Sequence, residues 1–389
     1  MKWLDKGNEV TIVGQEPQIL ILTADYGEGH HQVSKVLQQS LIRNGYCQVA
    51  VVDLFREAYP VLNKIIRYLY RQSLYAASLG IPYYGWTYHL TNQLPMKGKI
   101  AAWMNSLGGD RLKKIILQYQ PEVIIYTFPF GSLPSSVALS AIRPRTAVVI
   151  TDFDVHRRWL FAKPDHYFVP ASDVKEAMVR QGVPESRITV TGIPVRESFH
   201  DAAMSGPGSV KEADEHVILL MANVCGTLHS LSRLIGKLLL LSGVRIRVIC
   251  GRQEGWRRRL AESWADDARV DVFGFTDQLH VLMSSACCVV TKAGGVTLSE
   301  TIQAGVPIFI LNPFLGQEKE NALYLQRKGA AVVAFTIHDL VLQIQAMISS
   351  EQIKQSMMNG LLAARQKAAA DHIVRHLFPE ASPLRRSGI

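Results

Sequence analysis

The sequence lacks any long uninterrupted hydrophobic run. A membrane-spanning helix needs about eighteen or more apolar residues in succession, and no such uncharged stretch occurs. Residues 1–18 contain acidic side chains and no apolar segment typical of a secretory leader. The sequence therefore predicts neither a spanning helix nor secretion, and a cytoplasmic location is expected.

Cysteine is scarce and has no metal-binding or redox spacing. The five cysteines show no CxxC pair, and three of them fall in segments predicted as apolar strands. This arrangement favours reduced, buried thiols over a disulfide framework. The five are Cys47, Cys225, Cys250, Cys287 and Cys288.

Acidic residues are outnumbered by basic ones. The chain has 42 Lys and Arg against 33 Asp and Glu, a net charge of +9 and a pI near 9.3. Such a balance fits an anionic partner, whether nucleic acid, an acidic lipid surface or a nucleotide-sugar. No helix-turn-helix, zinc-finger or RNP signature accompanies the charge, so no nucleic-acid partner is predicted.

The length and the order of apolar segments predict two domains. A chain of 389 residues exceeds one ordinary core, and 48% hydrophobic with 19% charged residues is typical of a folded protein. Unbroken apolar runs alternating with helical periodicity predict an α/β fold with parallel sheets. We expect domains at residues 1–199 and 217–375, with a connector at 200–216 and a basic tail at 376–389.

The most informative stretch is Val289–Asn321, which is predicted as a strand, a Gly-Gly turn, a helix, a second strand and a polar loop that opens another helix. Loops that follow parallel strands gather at one sheet edge, where ligands bind. Gly294 and Gly295 allow a close approach of backbone N–H groups, and a helix beginning near Thr297 directs its positive end there, which suits phosphate. The carboxylate of Glu300 suits a diol such as ribose.

A candidate general base follows the first predicted strand. Glycines at 27 and 29 make the turn after Ile19–Leu22 tight and place His30 at the start of a helix. The helix dipole there favours the neutral imidazole, which can accept a proton. The alternative is a histidine that only caps the helix.

A second acidic turn follows a later strand. Asp152-Phe153-Asp154 has the DxD spacing that can hold a divalent metal, and His30 and His156 could join such a site. Because phosphate already has a helix N-terminus on the other domain, we interpret Asp152 as an active-site carboxylate. Capping of the strand end is the remaining alternative.

Residues 55–103 combine aromatic and basic side chains, with Glu57 as the exceptional acid. Aromatic rings suit the headgroup level of a membrane, and each Lys or Arg near anionic lipid contributes about 1 kcal/mol. We predict peripheral docking on the inner face of the cell membrane, the alternative being an ordinary helix pair. The residues expected at the membrane and acceptor are Arg56, Lys64, Arg67, Tyr68, Arg71 and Trp86.

The ordered series Gly-Gly-x-Thr-x-x-Glu, Gly-Val-Pro and Gly-Gln-Glu-Lys-Glu-Asn resembles the donor site of GT-B glycosyltransferases. It is most similar to the branch with the processive diacylglycerol beta-glucosyltransferases and the monogalactosyldiacylglycerol synthases. The resemblance covers residues 17–375 and implies two facing Rossmann-like domains with an interdomain cleft.

The resemblance also implies roles for individual residues. His30 stands where the family has its Gly-x-Gly-His, near the acceptor hydroxyl, and Asp152 in the family's Thr-Asp-Phe. Lys292-Ala293-Gly294-Gly295 replaces the family's Lys-Pro-Gly-Gly, and the loop at Gly226 is poorer in glycine than in the family. The implied donor contacts are Gly226, Phe275, Gly294, Gly295, Thr297, Glu300, Gln317, Glu318 and Asn321.

The implied reaction is inverting transfer of a hexose, most simply glucose, from a UDP-sugar to diacylglycerol or a glycolipid, without an obligatory cofactor. His30 would be the base, with Asp152 orienting it or the acceptor. Two alternatives remain at this stage. One is a UDP-sugar epimerase, which also pairs two Rossmann-like domains, and the other is a membrane-attached sensor that binds a UDP-sugar without turnover.

Overall fold

The structure is a computed structural model, and it describes residues 19–24, 28–59, 109–138, 143–200 and 216–379. The predicted membrane-facing residues from Lys64 to Trp86, residues 201–215 of the predicted connector (200–216) and residues 380–389 of the predicted tail (376–389) lie outside these ranges.

The first sheet has six parallel strands in the order β2-β1-β3-β4-β5-β6. Most residues of its inner strands are apolar because helices cover both faces of the sheet, so neither face needs polar side chains. The strands are β1 Ile19–Thr23, β2 Val49–Asp53, β3 Val123–Tyr126, β4 Arg145–Val149, β5 His166–Val169 and β6 Ile188–Val190. The apolar runs predict the first five, whereas β6 was not predicted.

The second sheet also has six parallel strands, in the order β12-β11-β10-β7-β8-β9. The strand order reverses between β7 and β10, and the loops after these two strands therefore flank the crevice at the sheet's carboxyl edge. The strands are β7 His216–Met221, β8 Val244–Ile249, β9 Val270–Phe273, β10 Cys288–Thr291, β11 Ile308–Leu311 and β12 Ala331–Ala334.

Helices separate most of the strands and cover both sheets. Those of the first half (residues 19–200) are α1 Glu28–Arg43, α2 Leu54–Ala58, α3 Gly109–Tyr119, α4 Ser135–Ala138 and α5 Ser172–Arg180. Those of the second half (residues 216–379) are α6 Leu228–Leu238, α7 Glu254–Ser263, α8 Leu279–Ser284, α9 Gly295–Ala304, α10 Gln317–Arg327, α11 Ile337–Ser349, α12 Glu351–Ala364 and α13 Ala369–Leu377.

The last helix, α13, packs on the first half of the chain. Asp371 accepts a hydrogen bond from Ser40 of α1 at 2.5 Å and pairs with Arg43 at 3.3 Å. Arg145 of β4 donates to the Leu377 carbonyl at 3.1 Å. Buried residues of both halves form one continuous hydrophobic cluster, in which Leu37 of α1 and Ile373 of α13 take part. The chain thus crosses back to the first sheet before it ends.

The thiol prediction is partly wrong. All five cysteines are free, and Cys225, Cys250 and Cys288 are buried, but Cys47 is exposed and Cys287 is partly exposed. Cys47 lies in the turn before β2, outside the sheet. No helix within the described residues is both long and apolar enough to cross a bilayer.

Candidate active site

The first turns of α1 and α9 meet where the two halves face each other. Gly29 lies so close to Val296 that a Cβ on this glycine would stand 3.3 Å from the valine side chain. A Cβ on Gly295 would stand 2.1 Å from the Thr151 carbonyl oxygen, so only glycine fits there. Gly294, by contrast, has open space around it. At Gly295, the group that approaches closely is therefore the Thr151 carbonyl of the protein and not a ligand. Gly294 is the glycine with room for a ligand.

His30 lies in the first turn of α1, at this junction. Its Nδ1 is 2.7 Å from the Thr127 carbonyl oxygen and 3.2 Å from Thr151 Oγ1. A carbonyl can only accept, so Nδ1 carries the proton and Nε2 carries the lone pair. Phe128 packs edge-on to the imidazole, with ring centroids 5.1 Å apart. The ring is thus held in the tautomer that a general base requires.

The protein environment keeps His30 neutral. Burial lowers the pKa of His30 to about 4, although the hydrogen bond with the Thr127 carbonyl works in the opposite direction. The imidazole is consequently unprotonated at neutral pH, as predicted from its position at a helix N-terminus, but the structure adds burial as the main cause.

Asp152 contacts the second half of the chain. Its Oδ1 accepts hydrogen bonds from the side-chain amides of Gln317 and, at 3.1 Å, of Asn321. Burial raises the pKa of Asp152 to about 6, and these two amides oppose the shift. The ring of His30 is oriented by Thr127 and Thr151, so the predicted orientation of His30 by Asp152 is not what the contacts show.

Asn321 is fully buried and joins the two halves. Its Oδ1 accepts from the Phe153 N–H at 2.7 Å, and its Nδ2 donates to Asp152 and, at 3.0 Å, to the Ala293 carbonyl. Both amide hydrogens are therefore in use within the protein. We assign Asn321 a positioning role, whereas the sequence predicted a direct donor contact.

Glu300 is buried in the second turn of α9 and meets an arginine from the first half. Its Oε1 accepts from Arg196 Nε and Nη2, each at 3.0 Å. Burial raises the pKa of Glu300, and the charge and hydrogen bond of Arg196 oppose that shift. The arginine thus favours an ionised carboxylate.

Lys292 and Glu318 lie together beside the Gly-Gly turn. The Lys292 ammonium stands over the Phe314 ring, 3.9 Å from its centroid. Burial lowers the pKa of Lys292, whereas the nearby Glu318 and Cys225 raise it. Oε2 of Glu318 is buried, with no hydrogen-bond partner in the described part of the chain. An unpaired buried carboxylate oxygen is costly, and a ligand hydroxyl would satisfy it.

The other predicted donor residues surround the same edge. Thr297 is partly exposed in the first turn of α9, and Gly226 is exposed just before α6. Phe275 follows β9 with 63% of its surface exposed, and the Arg252 guanidinium lies 5.5 Å from its ring centroid. Arg252 also bonds to Glu28 of α1 at 2.7 Å.

Of the predicted membrane residues, Arg56 falls in the described part of the chain. It is exposed on α2, and its backbone N–H donates to Asp53 Oδ1 at 2.9 Å. The predictions for Lys64, Arg67, Tyr68, Arg71 and Trp86 lie outside the described residues and stay predictions.

Both halves of the chain match family models. Residues 30–195 match monogalactosyldiacylglycerol (MGDG) synthase, and residues 227–373 match the glycosyltransferase family 28 C-terminal domain. The chain is 34% identical over 373 residues to processive diacylglycerol beta-glucosyltransferases of Bacillus thuringiensis and Bacillus anthracis, with 94% of each chain covered. This chain belongs to the processive diacylglycerol beta-glucosyltransferase family. The predicted resemblance is confirmed.

Solved structures show the GT-B fold that the diacylglycerol beta-glucosyltransferase family was expected to have. Acinetobacter baumannii MurG is 16% identical, with a TM-score of 0.60 that covers 93% of this chain and 100% of MurG. A UDP co-structure of Staphylococcus aureus MnaA is 12% identical, with a TM-score of 0.59 and coverages of 93% and 95%. Both likenesses concern the fold alone, and the predicted fold is confirmed.

The DxD segment of this family member has a structural explanation. Asp152 is occupied by amide donors, and the Phe153 ring stacks on Tyr324 of α10 with centroids 5.2 Å apart. Within the described ranges, no group of three or more His, Cys, Asp or Glu side chains could hold a metal ion.

Four contributors to the site were missed in the sequence. Thr127 and Thr151 orient His30, Arg196 pairs with Glu300, and Lys292 lies beside Glu318. Lys292 and Thr151 belong to segments already compared with the family, Lys-Ala-Gly-Gly and Thr-Asp-Phe, and Arg196 ends a Gly-Ile-Pro-Val-Arg segment that also resembles the family, so a usable signal existed for these three. Thr127 follows a strand in a stretch with no distinctive pattern, so nothing local marked it.

Proposed function

We propose that this chain is an inverting glycosyltransferase that moves a hexose, most simply glucose, from a UDP-sugar to the hydroxyl of diacylglycerol or its glycolipid. The observation that carries the proposal is the contact between the first turns of α1 and α9. It brings a neutral histidine beside a helix N-terminus that suits phosphate. Relatives that are 34% identical over nearly the whole chain bear the name of this reaction.

In the proposed reaction, His30 Nε2 takes the proton from the acceptor hydroxyl as its oxygen attacks the anomeric carbon. The bond from that carbon to the diphosphate breaks, and UDP leaves with the electron pair. Backbone N–H groups at the start of α9 and the Lys292 charge stabilise the leaving diphosphate, so no obligatory cofactor enters the proposal.

The donor is held by groups on either side of the Gly-Gly turn. Glu300 accepts from the ribose hydroxyls and Phe275 lies beside the base. Glu318, with its unpartnered buried oxygen, accepts from a sugar hydroxyl, and Gln317 contacts the sugar as well.

We also propose that the protein docks on the inner face of the cell membrane. The support is the concentration of basic and aromatic residues at 55–103, where Arg56 is exposed on α2. Docking would bring the lipid hydroxyl to the first half of the chain.

Incubation of the protein with labelled UDP-glucose, UDP-galactose or UDP-N-acetylglucosamine, with and without diacylglycerol vesicles, tests the function. We expect label in an organic-extractable lipid only when vesicles are present. Interconversion of UDP-sugars without lipid would indicate the epimerase, and donor binding without turnover would indicate the sensor. Exchange of Arg56, Lys64, Arg67 and Arg71 for glutamate should reduce sedimentation with anionic vesicles.

The base is tested in the same assay. His30→Ala should lower kcat by about 10²- to 10⁴-fold, the usual contribution of a general base. His31→Ala is the matched control, because it removes an adjacent histidine, and near-normal turnover is expected. Equal turnover by both variants would remove His30 from the mechanism.

A further inference from the structure

The pair formed by Arg196 and Glu300 joins the two halves at the donor side. Arg196 follows β6 in the first half, and Glu300 belongs to α9 in the second, 104 residues later. The arginine side chain is 23% exposed and the glutamate side chain 6%. Phe199 supports the guanidinium from its other side, with the cation 4.9 Å from the ring centroid. The arginine is thus fixed by two contacts.

The two oxygens of the Glu300 carboxylate have different surroundings. Nε and Nη2 of Arg196 both reach Oε1, each at 3.0 Å. Because both arginine nitrogens contact Oε1, Oε2 is left to accept from another donor. Buried charge without a partner is strongly unfavourable, and the guanidinium favours the ionised form of Glu300 by lowering its pKa against the effect of burial. An ionised carboxylate accepts stronger hydrogen bonds than a neutral one.

We propose that Arg196 is a positioning residue for the ribose of the donor: by holding Oε1 of Glu300, it presents Oε2 to the ribose hydroxyls. This inference rests on the proposed function, which assigns Glu300 to ribose. Because Arg196 belongs to the first half, donor affinity in the second half depends on contact between the halves. An acceptor-side residue thereby contributes to donor selection without touching the donor.

Calorimetric titration with UDP and with 2′,3′-dideoxy-UDP separates positioning from other roles. Wild-type protein should bind the dideoxy compound roughly 10- to 100-fold more weakly than UDP, as expected for lost hydrogen bonds to a charged group. Arg196→Gln should weaken UDP binding by about tenfold and leave binding of the dideoxy compound nearly unchanged, since the hydroxyls that depend on Glu300 are already absent.

Two further variants sharpen the test. Arg196→Lys keeps a positive charge and should recover part of the UDP affinity. Arg143→Gln removes an exposed arginine paired with Asp165 at 2.8 Å and should change neither titration. Thermal unfolding of each variant confirms that it is folded. In turnover assays, Arg196→Lys should raise the KM for UDP-sugar and leave kcat at saturation close to wild type.

The outcomes distinguish this inference from the proposed function. Equal weakening of UDP and dideoxy-UDP by Arg196→Gln would overturn the positioning role, because a contact with the diphosphate or a general loosening would act on both. Equal binding of the two compounds by wild type would overturn it as well, because Glu300 would not read ribose. Failure of wild type to bind UDP would overturn the proposed function and this inference together.

Discussion

At the scale of single residues, burial shifts the pKa values of His30 and Asp152 in opposite directions. Burial lowers the pKa of His30 to about 4 and raises the pKa of Asp152 to about 6. Desolvation disfavours the charged form in both cases, which is the cation for histidine and the anion for aspartate. His30 is therefore neutral across the physiological range, whereas Asp152 changes charge just below neutral pH.

The pH dependence of kcat/KM should consequently report Asp152. The ionised carboxylate holds the amide of Gln317, a proposed sugar contact, and protonation below about pH 6 weakens that bond. We expect an acid limb near pH 6, measured as kcat/KM from pH 4.5 to 8. In Asp152→Asn this limb should vanish, and kcat/KM should begin to fall only at the acid end of the range, as the pH approaches the His30 pKa of about 4.

Asp154→Asn supplies the control for that profile. The negative charge of Asp154 contributes to raising the pKa of Asp152, so its removal should move the acid limb to lower pH without abolishing it. An acid limb that stays in place in Asp152→Asn would assign it to another group.

At the scale of secondary-structure elements, the two adjacent glycines at the start of α9 differ in how closely the first half of the chain approaches them. A Cβ on Gly295 would overlap the Thr151 carbonyl, whereas one on Gly294 would meet no atom within 4 Å. Gly294 has φ −75° and ψ 128°, which any residue can adopt. The two positions therefore differ in the room available for a side chain, and not in backbone strain.

Gly295→Ala should destabilise the protein, and Gly294→Ala should not. The alanine at 295 must displace the strand end at Thr151, and overpacking of this kind costs typically about 1–3 kcal/mol. We expect a lower thermal unfolding midpoint for Gly295→Ala and an unchanged one for Gly294→Ala, measured by circular dichroism. Equal unfolding midpoints for the two variants would mean that the close contact between Gly295 and the Thr151 carbonyl does not contribute to stability.

The elements themselves were largely predictable, and their long-range contacts were not. Runs such as Ile19–Leu22 and Ile308–Leu311 are apolar throughout because the strands are buried on both faces, so the continuous short apolar run itself reveals them. The Gly-Gly turn and the helix after it were equally readable. By contrast, Gln317 bonds to Asp152 over 165 positions and Arg196 to Glu300 over 104, and no local pattern encodes such partners.

At the scale of the whole molecule, α13 closes the second half onto the first sheet. The His376 ring of α13 lies against His166 of β5, with centroids 4.1 Å apart. Burial lowers the pKa of His166 to about 4 and His376 contributes, while burial and His372 lower the pKa of His376. Arg145 adds a fixed positive charge at this contact through its bond to Leu377.

This histidine pair should make stability depend on pH. In the unfolded chain, histidines take up protons near pH 6.5, whereas in the folded protein the pKa of His166 is lowered to about 4 and the pKa of His376 is lowered as well. The unfolded state therefore binds more protons between these values, so the stabilising effect is complete above pH 6.5 and is lost as the pH falls toward 4. Thermal midpoints of wild type should accordingly drop between pH 7 and pH 5.

His376→Gln should flatten this decline because one titrating partner is gone. His229→Gln, which removes an exposed histidine from α6, should leave the slope unchanged. Parallel curves for all three proteins would show that protonation at this contact does not control how α13 joins the halves.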